Sequence, residues 1–216
     1  MKTWTCPNKQ LARQKTIIEP YHEFFHESLP GGKQYWCTCG LSATHNGIIA
    51  NCELDQMLKA QLIQLEQFRG VDQEEEHIES NRKHLPHIKW FHNDFIEQIE
   101  ISYNEGDFNP GIIDVDIIHM KDKATVYLGR LLSFLTEIEI KDVLVVANMM
   151  LCNPNKGQEI VDGNEIITRL CEVNSFRSAW ASNQWEFHDK RFEYVGQQYG
   201  TKTVLASYLF YRKDTV

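Results

Sequence analysis

A doubly wound α/β fold closed by a C-terminal β-hairpin is predicted for this 216-residue chain. Three observations carry the prediction. Short runs rich in β-branched and aromatic residues alternate with stretches whose apolar residues recur every three or four positions, the pattern of βαβ units and a parallel sheet covered on both faces. Several of those runs end at or near an aspartate. The last two runs, RFEYVGQQYG and TKTVLASYLFYRK, have no helix between them and meet at a short turn, Gly200–Thr201, so they pair antiparallel.

The elements follow in order. Leu11 to Ser28 spaces Ile17, Ile18, Tyr21, Phe24 and Phe25 as an amphipathic helix despite Pro20, and LPGG at 29–32 stops it. KQYWCTCG reads as the first strand, followed by the loop LSATHNG. A second helix pattern runs from Cys52 to Leu65, with Leu54, Met57, Leu58, Gln61, Leu62 and Leu65 on one stripe and Asn51 placed as its cap. Gln67 to Val71 is the second strand, ending in Asp72; Glu74 to His84 is the helix after it, its first-turn acids favoured by the helix dipole. HIKWFHNDF is a strand ending near Asp94, and GIIDVDII a strand around Asp114 and Asp116. Lys123 to Ile138 carries a helical stripe of Ala124, Tyr127, Leu128, Leu131, Leu132 and Leu135. DVLVVANMMLC is too β-branched to prefer a helix and reads as a central buried strand, with a helix expected at Gly163 to Val173.

Composition bounds the function. Apolar residues at 42%, aromatics at 11% and charged residues at 24% describe an ordinary globular chain, and its length suits a single domain, 1–216, with a leading helical segment (1–32) before the core (33–216). The net charge of -8 disfavours binding nucleic acid across the surface. No stretch approaches the roughly 20 apolar residues that span a bilayer, and the N-terminus lacks an export signal, so a cytoplasmic protein is expected. The 6 cysteines are then expected as free thiols. A zinc site from Cys37, Cys39, His45 and Cys52 has poor spacing, with one residue between the first pair, and no metal is expected. The sequence contains no phosphate-binding P-loop, no dinucleotide fingerprint and no nucleophile elbow. Asn153–Pro154 reads as a turn. Among late aromatics, Trp180 and Trp185 flank a polar SNQ stretch and are the candidates for exposure. His87, His92 and His119 fall near strand ends.

Alternating elements closed by a hairpin, with acidic strand ends, resemble the class I S-adenosylmethionine-dependent methyltransferases over nearly the whole chain. The resemblance implies a Rossmann-like, mostly parallel seven-stranded sheet with the last strand antiparallel, S-adenosylmethionine as cofactor, and methyl transfer to a substrate the sequence does not identify. It implies that Asp72 binds the cofactor's ribose hydroxyls, that Asp94 contacts the adenine amino group, and that Cys39 and Gly40, after the first strand, approach the cofactor. Asp114 and Asp116 match the fourth strand, whose end faces the transferring methyl group, and are the candidate catalytic residues. The family's glycine loop is changed here: CTCGLSATHNG has only Gly40 and Gly47, and Thr38 or Cys39 replaces its acidic residue. That departure supports an alternative, a methyltransferase-like domain without catalysis that binds a protein partner or regulates. Independently of any family, ligands of open parallel sheets bind outside the carboxyl ends of the strands; aspartates there also cap helices.

Overall fold

The computed structural model describes residues 7–25, 27–38, 52–117, 121–152, 170, 185–198 and 201–212. They fall into two compact units, Met1–Asp114 and Val115–Val216.

In the first unit the chain opens with α1 (Pro7–Arg13), a widened π-type turn (Gln14–Ile18) and α2 (Glu19–Phe24). The Glu19 N–H reaches back five residues to the Gln14 carbonyl. This widened turn lies immediately ahead of Pro20, which has no N–H to give and a ring that crowds the preceding turn. Phe25 leaves helical geometry (φ -127, ψ -91), so the helix stops short of the predicted Ser28.

Four strands follow: β1 (Gln34–Thr38), β2 (Phe68–Asp72), β3 (Lys89–His92) and β4 (Pro110–Ile117), the last crossing the boundary between the units. They pair in parallel in the order β3-β2-β1-β4. The connections carry α3 (Glu53–Lys59), α4 (Glu75–His84) and α5 (Phe95–Asn104). Right-handed crossovers put α3 and α4 on one face and α5, which returns the chain past β1, on the other. The strands are buried on both sides, as a covered parallel sheet requires: Trp36, Val71 and Ile113 on one face, Tyr35, Phe68 and Ile112 on the other.

Two sequence expectations about α3 are corrected. Its cap is Cys52, whose Sγ accepts from the Asp55 N–H at 3.4 Å, not Asn51. The helix also ends at Lys59 rather than Leu65: Gln61 takes a left-handed φ of 56, and a single 3₁₀ turn (Leu65–Gln67) leads into β2. Leu62 remains buried and keeps the spacing of the helical stripe past the helix end.

The register of β1 against β4 slips between Gln34 and Tyr35, which pair with Pro110 and Ile112. Gly111 is the extra residue of this bulge. A Cβ there would stand 2.4 Å from Leu29 Cδ1, so Leu29 would have to shift to admit any larger residue.

The second unit holds α6 (Lys121–Glu137), β5 (Val143–Cys152), β6 (Glu186–Gln198) and β7 (Thr201–Arg212). β7 pairs antiparallel with both β5 and β6, which gives the predicted terminal hairpin. β6 starts at Glu186, earlier than the predicted Arg191. α6 buries Ala124, Leu128, Leu131, Leu132 and Leu135, and Val143 to Ala147 of β5 are all buried. Trp185, expected to be exposed, is 2% exposed. Its indole N–H donates to Thr136 Oγ1 at 2.8 Å, so the ring is covered and its polar edge satisfied. Trp180, His119 and Asn153–Pro154 lie outside the described residues, as does the predicted helix Gly163 to Val173 except for Leu170. No described helix is long and apolar enough to cross a membrane.

Candidate functional site

Strand register decides which side chains share a face. Tyr35 pairs with Phe68 and Ile112, Cys37 with Gly70 and Asp114, and Asp72 with His92. Because side chains alternate along strands, Tyr35, Cys37, Phe68, Asp72 and Asp114 lie on one face of the first unit's sheet, the face that α3 and α4 cover. Asp116, two residues beyond Asp114, takes the same side of β4 and is exposed. The opposite face is apolar around Trp36, stacked on Phe91 at 5.5 Å and edge-on to Phe108.

Deep on the polar face is a network spanning four elements. The Tyr35 hydroxyl donates to Glu53 Oε1 at 2.8 Å and stands 3.4 Å from Asp114 Oδ2. Glu53, in the first turn of α3, pairs with Arg13 of α1 at 3.3 Å, their side chains 4% and 10% exposed. Burial, and then the neighbouring Glu53 and Asp114 charges, push the Tyr35 phenol well above its ordinary range. It is therefore a hydrogen-bond donor fixed between two carboxylates, not a base. Tyr35 also stacks on Phe68 at 5.4 Å, which fixes its ring.

Nearer the strand ends is a second cluster. Asp72, the last residue of β2, accepts the Glu74 N–H on Oδ1 at 2.8 Å, and its Oδ2 lies 3.0 Å from His77 Nδ1. Asp94 caps α5: its Oδ1 accepts from the Ile96 and Glu97 N–H groups at 2.9 and 3.2 Å. Its Oδ2 accepts the Gln73 side-chain amide at 3.0 Å. His92 Nε2 lies 3.0 Å from the Gln73 carbonyl, and the Asn93 N–H donates to the Asp72 carbonyl at 3.1 Å. The β2–α4 and β3–α5 turns are thus tied together.

Of the residues singled out in the sequence, Asp72 and Asp94 come together through Gln73, and Asp114 lies in the deeper network. Cys39, Gly40 and His45 lie outside the described residues. Cys37 and Cys52 are buried and in no disulfide. His87 is exposed. Tyr35, Arg13 and His77 were missed. Tyr35 carried one available signal, since it sits two residues before Cys37 on the same side of β1; the other two come from helices whose facing only the fold reveals.

This architecture is the class I methyltransferase fold: an α/β, Rossmann-like arrangement of parallel strands with a C-terminal antiparallel pair. The N-methyltransferase NodS from Bradyrhizobium japonicum WM9 is similar over 95% of this chain and 98% of its own, with a TM-score of 0.50 and 11% identity. The plantazolicin methyltransferase BamL, solved with a triazolic desmethylPZN analog and SAH, is similar over 96% of this chain and 86% of its own, with a TM-score of 0.53 and 10% identity. At such identities the likeness is one of fold. No family model matches the chain, and no curated protein matches it in sequence.

Proposed function

We propose that this chain binds S-adenosylmethionine and transfers its methyl group to a substrate still to be identified. The observation that carries the reading is Asp72: a carboxylate ending β2, beside β1, on a sheet whose strand order reverses at β1 and β4, where ligands of open α/β sheets bind. The described residues fit the cofactor there. Each Asp72 oxygen has one described partner and two lone pairs, leaving one on each for a ribose hydroxyl. Asp94 and Gln73 would flank the adenine, and the backbone at Cys39 and Gly40 would approach the cofactor from the end of β1. When bound, the cofactor supplies a methyl group on a sulfonium centre. In this reading Asp116, exposed on β4, would take the proton of an attacking nucleophile, and Asp114, hydrogen-bonded to Tyr35, would orient it.

The same reading takes the chain as one domain with a continuous seven-stranded sheet, acting in the cytoplasm on a substrate other than bulk nucleic acid. A second reading, a methyltransferase-like domain that binds a ligand or a protein partner without transferring methyl, is favoured by the burial of Asp114, which is 6% exposed.

Calorimetric titration with S-adenosylmethionine and S-adenosylhomocysteine tests the proposal. Saturable binding is expected, weakened roughly tenfold or more in Asp72→Asn, which loses hydrogen bonds to a charged acceptor. Absence of binding at millimolar ligand would sink it. Cofactor binding without turnover on any nucleophile tried would favour the second reading.

A further inference from the structure

We propose that His77 is a positioning residue for a vicinal diol bound at Asp72, a role that rests on the cofactor reading above. The last torsion of an aspartate is soft and broadly two-fold, so a carboxylate anchored at one oxygen can swing about it. Asp72 is anchored at both. The Glu74 N–H holds Oδ1 at 2.8 Å and the His77 imidazole holds Oδ2 at 3.0 Å. The two anchors fix the carboxylate plane and leave the remaining lone pairs of the two oxygens set in one orientation, the geometry that reads two adjacent hydroxyls.

Helix capping does not account for this arrangement. At Asp94, a cap in the strict sense, a single oxygen serves two N–H groups of the following helix. Asp72 lies two residues ahead of the N-cap of α4, which is Glu74, and serves one N–H only. Its second oxygen is held by a side chain that is 26% exposed, while Asp72 is itself 14% exposed. The pair is open enough to meet a ligand and more constrained than a cap requires. A proton on Nδ1 makes this contact a hydrogen bond donated to the carboxylate.

The test uses S-adenosylhomocysteine and its 2′-deoxy and 3′-deoxy analogues, titrated calorimetrically into the wild-type chain, His77→Ala and His77→Asn. Asparagine places an amide nitrogen near the position of Nδ1 and keeps the anchor. His77→Ala is expected to weaken the parent ligand about tenfold, in keeping with a lost hydrogen bond to a charged group. It is expected to weaken the deoxy analogues less, because the group whose geometry it disturbs has fewer hydroxyls to read. His77→Asn is expected to bind within about threefold of wild type, as the anchor survives. Urea midpoints of both variants, compared with wild type, check that each is folded.

Three results would overturn the proposal: unchanged affinity in His77→Ala, equal weakening of parent and deoxy ligands, or an asparagine variant as weak as alanine. Wild-type chain that binds none of the ligands would overturn the cofactor reading along with it. That failure shows in the wild-type titration alone, before any His77 variant is compared.

Discussion

Tyr35→Phe removes one oxygen atom from the deepest polar network and leaves everything else in place. The phenylalanine ring keeps the stack on Phe68, at 5.4 Å and 13° between planes, so no packing is lost. What goes is the 2.8 Å hydrogen bond to Glu53, a carboxylate 4% exposed and otherwise paired with Arg13 at 3.3 Å, together with the longer 3.4 Å one to Asp114. A hydrogen bond to a charged group contributes about 1.5–3 kcal/mol, so a loss near 2 kcal/mol is expected at pH 8. The size of that loss should depend on pH. Burial and the adjacent carboxylates raise the folded-state Tyr35 pKa well above 10.0, its value in an unfolded chain. The unfolded state therefore gives up the phenolic proton first. Stability from Tyr35 is fully present below about pH 10 and falls as pH rises above it, by about 1.4 kcal/mol at pH 11. The gap between wild type and Tyr35→Phe should thus shrink from about 2 to well under 1 kcal/mol between pH 8 and pH 11. Urea denaturation followed by circular dichroism at both pH values measures it, provided the m-values match. A gap below about 0.5 kcal/mol at pH 8, or one that holds or widens at pH 11, would refute the account.

Two further outcomes are expected. Burial pushes the Cys52 thiol up to about 11, so at pH 8 roughly one molecule in a thousand carries the thiolate; iodoacetamide should leave Cys52 unmodified in the folded chain and label it in urea, and fast native labelling at that residue would contradict its place as the α3 cap. Gly111→Ala forces a Cβ to within 2.4 Å of Leu29 Cδ1, and Leu29 is 5% exposed with little room to yield; a loss of about 1–3 kcal/mol is expected by urea titration, and an unchanged midpoint would show that Leu29 repacks freely.

Sequence patterning reached the fold more readily than the site, and particular residues show why. β2 was legible to its last residue because an apolar run stops at Asp72, and α4 because it starts among acids and ends among Arg82, Lys83 and His84. α3 was overextended because Leu62 and Leu65 keep the helical spacing after the backbone has turned at Gln61, a residue type that gives no warning of a left-handed φ of 56. The Arg13–Glu53–Tyr35–Asp114 network was out of reach for a different reason. Its hydrogen bonds join residues 18 and 79 positions apart: the register of β1 against β4 brings Asp114 to Tyr35, and the packing of α3 on the sheet brings Glu53.

The two strand-end aspartates carry the same local signature and are used differently, which marks the boundary of what pattern alone can say about a site. Asp94 is followed at once by the first helical residue, Phe95, so its carboxylate is drawn onto the end of α5 and one oxygen is spent on two N–H groups. Two more residues, Gln73 and Glu74, separate Asp72 from the first residue of α4, Glu75, and that offset is what frees its second oxygen for His77. An offset of two residues is smaller than the uncertainty with which a helix start can be read from sequence. Both aspartates therefore looked equally like caps and equally like ligand contacts. Geometry separates them: a carboxylate whose two oxygens have one partner each can still accept a diol, whereas one that already serves two amides on one oxygen and a glutamine on the other has its first duty to the helix.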